Sequence, residues 1–139
     1  MGLVYADIEL INATNSANAK KNFIGDEEIK RMRITVLVDS GAYMMAINET
    51  IQGQLDLPFV ENRKVQLASG EVVSYPVVGP LMVKFANRTA ICSTFVLPGE
   101  SEPLLGAIPM GEMDVLVHPK RQELIVNPEH PNFAQLKMK

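Results

Sequence analysis

The chain has little of several residue types that mark specialised classes of protein. Cysteine occurs once, at Cys92, so no disulfide can form within the chain, and this fits a reducing compartment. No apolar run approaches the roughly 18 residues of a membrane-spanning helix. The N-terminus lacks the charged and apolar regions of a signal peptide. We therefore expect a cytoplasmic protein that does not bind membranes.

Positive charge and histidine are also scarce. There are 13 Lys and Arg against 16 Asp and Glu, which gives a net charge of −3. No basic stripe interleaved with aromatic residues occurs, so nucleic acid is not an expected partner. The two histidines, His118 and His130, have no cysteine or acidic cluster at ligand spacing. We expect neither a metal site nor a cofactor.

The composition that remains is that of a folded domain. With 139 residues and 47% hydrophobic residues, the chain is long and apolar enough to build one core, and residues 1–139 are predicted to form a single domain. Residues from about 12 to 27 are rich in Asn, Ala, Ser and Lys, which predicts a mobile loop. Residues from about 128 to 139 are predicted to be a C-terminal tail.

Alternating apolar residues and frequent turn signals predict an all-β fold. Alternation over residues 4–10 predicts a half-buried strand, and residues 29–38 predict a second one. Many short strands at regular spacing indicate a closed or nearly closed β-barrel. One or two short helices are expected, one capped by Asn48 and one over about 108–113. The pair Gly79-Pro80 is expected to break a strand.

The most informative segment is Asp39-Ser40-Gly41-Ala42, which directly follows the apolar run of residues 34–38. Gly41 is expected to let the backbone fold sharply, and the Ser40 hydroxyl can lock the turn. A carboxylate at the end of a buried strand is unfavourable unless it is paired or hydrogen-bonded. Asp39 is therefore predicted either to have a structural partner or to take part in chemistry.

Two later segments extend this pattern. Ala68-Ser69-Gly70-Glu71 joins two extended stretches, and its Ser-Gly pair predicts a hairpin turn. Leu104-Leu105-Gly106 is a short apolar element that ends in glycine and precedes the second predicted helix. An Asp-Ser/Thr-Gly tripeptide alone arises by chance in about 5% of chains of this length, given average residue usage. The prediction of a functional site therefore depends on the order and spacing of all three segments.

In this order the three segments resemble the retropepsin-like aspartic proteases, over about residues 30–127, and the small bacterial members in particular. The resemblance implies a single retropepsin-like β-barrel domain. It matches Asp39-Ser40-Gly41-Ala42 to the active-site loop, with Asp39 as the catalytic residue. It matches Ala68 to Glu71 to the flap that covers the substrate. It also matches Leu104-Leu105-Gly106 to the structural element that packs beneath the loop.

The resemblance also implies partners. Only one Asp-Ser/Thr-Gly is present, so a second copy must supply the other Asp39, and the active protein would be a homodimer. The substrate would be an extended polypeptide, hydrolysed by a water activated between the two carboxylates. The chain departs from the family at two places. Residue 107 is Ala, where many viral members carry Arg or Asp, and the tail does not obviously supply a dimer-forming terminal strand. Both departures bear on how a dimer is held.

Alternatives remain open for several residues. Asp39 could only cap its turn, which is a common role for aspartate. The chain could be a catalytically silent binding or dimerisation module of the same fold. Cys92 could be a nucleophile, although a lone cysteine in the strand-like run 90–95 is more typical of a core. Asp56 and Asp114 are interpreted as solvated loop acids.

Overall fold

The computed structural model describes residues 2–138 and consists mainly of β-strands, so the prediction of a mainly β protein is confirmed. None of the helices in this range is long and apolar enough to cross a membrane. In chain order the elements are β1 (Tyr5–Asn12), α1 (Ala13–Lys20), a 3₁₀ turn (Asp26–Glu28), β2 (Arg31–Val38), β3 (Met45–Asn48), α2 (Glu49–Leu55), β4 (Phe59–Gln66), β5 (Val72–Phe85), β6 (Arg88–Leu97), β7 (Leu104–Leu105), α3 (Ala107–Met113), β8 (Val115–His118) and β9 (Glu123–Val126).

Seven strands form one sheet in the order β1-β2-β7-β3-β6-β5-β4. β1 also pairs with β5, antiparallel, with Glu9 opposite Lys84 and Asn12 opposite Leu81. β1 therefore has a partner strand on both sides, while β4 lies at the edge of the sheet beyond β5. The remaining strands, β8 and β9, form a separate antiparallel hairpin.

The core lies on the face of the sheet where alternate residues point inward. In β1 the predicted alternation is present, with Ala6, Ile8 and Leu10 buried and Tyr5 and Asp7 exposed. Helix α2 begins at the predicted cap, where Asn48 Oδ1 accepts a hydrogen bond of 2.9 Å from the amide of Ile51. The apolar residues with no exposed surface come from eight elements: Leu10, Val36, Met45, Ile47, Leu55, Val77, Leu81, Val83, Ala90, Leu105 and Met113.

The loop predicted over residues 12–27 is wrong in part, because α1 occupies its first half. Asn12 is the N-cap of this helix, and its Oδ1 accepts a hydrogen bond of 3.0 Å from the amide of Asn15. Its Nδ2 donates to the carbonyl of Leu55 at 2.9 Å, so Asn12 is buried as well as capped. Asparagine favours turns, but it also favours helix N-caps. The Asn-rich segment therefore begins a helix here, because Asn12 caps it.

The strand break predicted at Gly79-Pro80 is also wrong, since β5 runs without interruption from Val72 to Phe85. The register of β5 against β6 shifts between Val78 and Leu81, which marks a bulge at this pair. Proline has no amide hydrogen to contribute to a ladder, and a bulge is one of the places in a sheet that tolerates it. The pair therefore bends the strand and does not end it.

The C-terminal tail is anchored to the end of α3 by Asp114. His130 Nδ1 lies 2.7 Å from Asp114 Oδ2, and the Gln135 amide donates to the same oxygen at 3.1 Å. Asn127 Nδ2 donates to Asp114 Oδ1 at 3.1 Å. The interpretation of Asp114 as a solvated loop acid is therefore wrong, because the tail covers it. The amide of Gln135, followed by Asn127 and His130, lowers the pKa of Asp114 to about 2.

This anchor predicts a pH dependence of the tail. A carboxyl whose folded pKa lies below its unfolded value of about 3.9 stabilises the fold above that pH and loses this effect as the pH falls. We expect the contact to be complete above about pH 4 and lost as the pH approaches about 2. In an NMR titration the Gln135 amide shift should have a midpoint near 2, and Asp114→Asn should remove this titration. A midpoint near 4 in the unmodified protein would contradict the anchor.

Candidate functional site

Asp39 lies at the point where β2 leaves the sheet. Its amide donates to the carbonyl of Leu105 at 3.0 Å, and its carbonyl accepts from the amide of Ala42 at 3.1 Å, which closes the turn. The carboxylate is half-buried, and its Oδ1 accepts a hydrogen bond of 3.0 Å from the amide of Gly41. Within residues 2–138, the Asp39 side chain makes no other hydrogen bond. The predicted buried carboxylate is therefore partly open to solvent, with one oxygen held in place.

Gly41 serves the turn in a different way from the one expected. Its φ is not in the left-handed region, so backbone freedom is not what the position requires. A Cβ at Gly41 would instead lie 3.2 Å from Asp39 Oδ1, which is a tight contact. Glycine thus leaves room for the carboxylate to accept the Gly41 amide. Ser40 is exposed at the outside of the turn, and Ala42 is half-buried.

The segment Leu104-Leu105-Gly106 lies directly beneath this turn. β7 pairs in parallel with β2, with Leu105 opposite Val38, and Leu105 is fully buried. A Cβ at Gly106 would overlap the carbonyl oxygen of Met44 and lie 2.8 Å from its carbonyl carbon. The amide of Ile108, in the first turn of α3, donates to the carbonyl of Tyr43 at 2.9 Å. Gly106 therefore permits close contact between α3 and the chain that follows Asp39.

The predicted hairpin turn at Ala68-Ser69-Gly70-Glu71 is present and fully exposed. The amide of Leu67 donates to the carbonyl of Glu71 at 2.8 Å, and the amide of Gly70 donates to the carbonyl of Leu67 at 2.9 Å. Gly70 has a φ of +91°, which favours glycine at this position. All of β4 is exposed except the half-buried Val65. The hairpin of β4 and the first half of β5 therefore projects away from the core.

A cavity of about 650 Å³ lies between the Asp39 turn and the projecting hairpin. Residues 41–44 of the turn form one wall, and residues 63–67 of the hairpin form the opposite wall. Tyr75 and Phe95 also line the cavity, and their rings meet edge-on with centroids 6.4 Å apart. This volume falls within the range of about 300–1,000 Å³ that is usual for ligand pockets. The Asp39 turn and the predicted hairpin thus face a common space.

Arg63 connects the two walls, and no sequence motif pointed to it. Its Nε and Nη2 donate to Glu61 Oε2 at 2.9 and 2.5 Å, and its Nη1 lies 3.3 Å from the sulfur of Met44. Met44 belongs to the segment that follows Asp39. Strand alternation could have pointed to Arg63, because residues 61, 63 and 65 of a strand lie on one face.

Cys92 lies in β6, where it is half-buried and packs against the core. Burial, followed by the charge of Glu112, raises the pKa of its thiol to about 12. The protonated thiol is a poor nucleophile, and this favours the interpretation of Cys92 as a core residue. Over residues 2–138, no group of three or more His, Cys, Asp or Glu side chains is arranged to hold a metal ion.

The cavity joins parts of the three segments that the sequence singled out. Gly41 and Ala42 of the Asp39 turn, Leu104 of the glycine-ended element and Leu67 at the base of the hairpin turn line it, whereas Asp39 and residues 68–71 lie outside its lining. No protein-family model matches the sequence, and no significant match is found among curated proteins. The chemistry of the site is therefore inferred from its own residues.

Proposed function

We propose that this chain is one subunit of a homodimeric aspartic endopeptidase with a retropepsin-like fold. The observation that carries the proposal is the position of Asp39, partly open to solvent at a strand end, in a turn whose Gly41 and Ala42 line a cavity shared with the β4–β5 hairpin. The pairing of β1 with both β2 and β5 supports a closed barrel, since it joins strands from opposite parts of the sheet.

The requirement for a second copy follows from the chemistry. Peptide hydrolysis by this route uses two carboxylates that share one proton. Within residues 2–138, the hydrogen bonds and ion pairs of the side chains bring no second carboxylate to Asp39. The turn can meet another molecule, because Ser40 and Gly41 are exposed and Tyr43 is 75% exposed. A two-fold axis past this turn would place the two Asp39 side chains together.

In the proposed dimer the two carboxylates have different roles. Like charges about 3 Å apart cannot both ionise easily, so one Asp39 keeps a proton and the other is a carboxylate. The carboxylate takes a proton from a water molecule, whose oxygen bonds to the carbonyl carbon of the substrate. The protonated Asp39 gives its proton to the carbonyl oxygen. When this intermediate collapses, the C–N bond breaks and the leaving nitrogen receives the proton that the first Asp39 took from water. One hydroxyl of the intermediate returns its proton to the second Asp39, which restores the starting state.

The substrate would lie extended between the Asp39 turn and the hairpin tip at Ala68 to Glu71. An extended peptide can pair with exposed backbone and place alternate side chains in pockets. The cavity beside the turn is lined largely by apolar groups, among them Ala42, Met44 and Leu97. It therefore suits one large apolar side chain of the substrate.

The proposal is tested by incubating the protein with a peptide library and identifying the products by mass spectrometry. We expect endoproteolytic cleavage that a statine-type transition-state mimic suppresses, because such a mimic places a hydroxyl where the attacking water would be. Peptide binding without cleavage, at concentrations where the protein is dimeric, would contradict the proposal and favour a catalytically silent binding module of the same fold.

A further inference from the structure

Arg63 has a donor group without a strong acceptor at the wall of the cavity. Its Nε and Nη2 are bound by Glu61, whereas among residues 2–138 Nη1 meets only the thioether of Met44, at 3.3 Å. A thioether sulfur is a weak acceptor, and a guanidinium binds carboxylates far better. An incoming carboxylate could therefore replace Met44 at Nη1 while the ion pair with Glu61 remains in place.

Strand pairing places this donor on the face of the hairpin that covers the cavity. Arg63 lies opposite Tyr75 in the β4–β5 ladder, and Tyr75 packs edge-on against Phe95 in the cavity wall. Lys64 lies opposite Ser74, one position along the ladder. Arg63 and Lys64 both line the cavity, so the hairpin wall carries two positive charges.

The charges around the cavity have one sign. Arg63 and Lys64 are its charged lining residues, and no acidic residue in the described range 2–138 lines it, although the whole chain carries a net charge of −3. The carboxylate of Glu61 offsets part of the Arg63 charge from outside the lining. The charged hairpin wall thus attracts an acidic group, while the apolar lining residues of the cavity accept an apolar one.

We propose that Arg63 is a specificity-determining residue that binds a glutamate side chain of the substrate, close to the large apolar residue that fills the cavity. This inference rests on the proposed peptidase function and adds to it a class of substrate: extended peptides in which a bulky apolar residue has an acidic neighbour. Glutamate reaches the hairpin wall from an extended backbone, and its carboxylate accepts the Nη1 hydrogens.

The test uses pairs of peptides that differ only by Glu or Gln. The best cleaved library peptide provides the template, and the pair is scanned over the positions on either side of the cleaved bond. At one position we expect the Glu peptide to be cleaved with about fivefold higher kcat/KM, mainly through KM, because the contact is partly solvent-exposed. The preference should shrink as salt is added, since screening weakens an exposed ion pair.

Two variants assign the effect to Arg63. Arg63→Gln should remove the Glu preference, whereas Lys84→Gln, which removes the same charge from an exposed position of β5 outside the cavity lining, should retain it. Equal cleavage of the Glu and Gln peptides by the unmodified protein at every position would overturn the proposal. So would a preference that survives Arg63→Gln, or one that both variants lose, because either result would place the selectivity elsewhere.

Binding measurements separate this inference from the proposed activity. The Asp39→Asn variant can be titrated with fluorescently labelled Glu and Gln peptides built on the library peptide that this variant binds most tightly, and their anisotropy reports binding without turnover. Tighter binding of the Glu peptide, lost in Asp39→Asn/Arg63→Gln, would support the role of Arg63 even if the unmodified protein cleaved nothing. Cleavage without discrimination between Glu and Gln would leave the peptidase intact and refute the role of Arg63.

Discussion

Replacing Asp39 with asparagine is expected to lower peptide cleavage by about 10³-fold or more, because the site then lacks both the base and the acid. The fold should be retained. Asp39 Oδ1 accepts a single hydrogen bond from the Gly41 amide at 3.0 Å, and the amide oxygen of asparagine can accept the same bond. We expect kcat to fall while urea denaturation shows nearly unchanged stability. Cleavage is followed with the best library peptide under conditions that favour the dimer.

Asp56→Asn is the matched control for this substitution. Asp56 has 76% of its side chain exposed and lies in the left-handed conformation at the end of α2, which asparagine adopts readily. It should keep full cleavage activity. When equal amounts of unmodified and Asp39→Asn subunits are mixed and exchange freely, one quarter of the dimers have two intact subunits. The mixture should therefore have about one quarter of the activity of unmodified protein at the same total concentration, because only these dimers retain both carboxylates. Unchanged activity of Asp39→Asn would contradict the proposed function.

Replacing Gly106 with alanine is expected to destabilise the protein by about 3 kcal/mol, near the upper end of the overpacking range. The added Cβ would overlap the carbonyl of Met44 and lie 2.9 Å from the carbonyl oxygen of Ala42. Both groups are backbone, so neither can move away by a change of rotamer. The segment after Asp39 would have to shift, and cleavage should fall together with the free energy of unfolding, which urea titration measures.

Gly111→Ala provides the comparison within the same helix. Gly111 lies inside α3, and a Cβ there meets no atom within 4 Å. Alanine favours helix by about 1 kcal/mol over glycine, so this variant should be as stable as the unmodified protein or more stable. Equal stability of the Gly106→Ala and Gly111→Ala variants would show that the close contact beneath the Asp39 turn is not present.

Local patterns predicted the parts of this fold that local interactions determine. The alternation in β1 and the cap at Asn48 each depend on a few neighbouring residues, and both are present. The Ser69-Gly70 pair predicted the hairpin turn, and Gly70 there adopts a backbone conformation that favours glycine. Local patterns also identified the three segments of the candidate site, but they did not predict the distances between these segments in the fold.

The features that the sequence did not reveal depend on contacts between distant segments. Asn12 caps α1 because it is also fixed by the carbonyl of Leu55, 43 residues away. Asp114 is covered by a tail whose Gln135 lies 21 residues further along the chain. Arg63 contacts Met44 across the cavity, and nothing near Arg63 in the sequence indicates this. Each contact becomes predictable only when the tertiary fold is known.

The proposed active site consists of two Asp39 side chains related by a two-fold axis. The most direct test is a crystal structure of the assembled protein with a statine-type mimic bound. We predict that the two Asp39 carboxylates lie within hydrogen-bond distance, about 2.6–3.2 Å between oxygens, on either side of the hydroxyl of the mimic. An assembly in which the Asp39 side chains are far apart, with the mimic bound elsewhere or not at all, would contradict the claim.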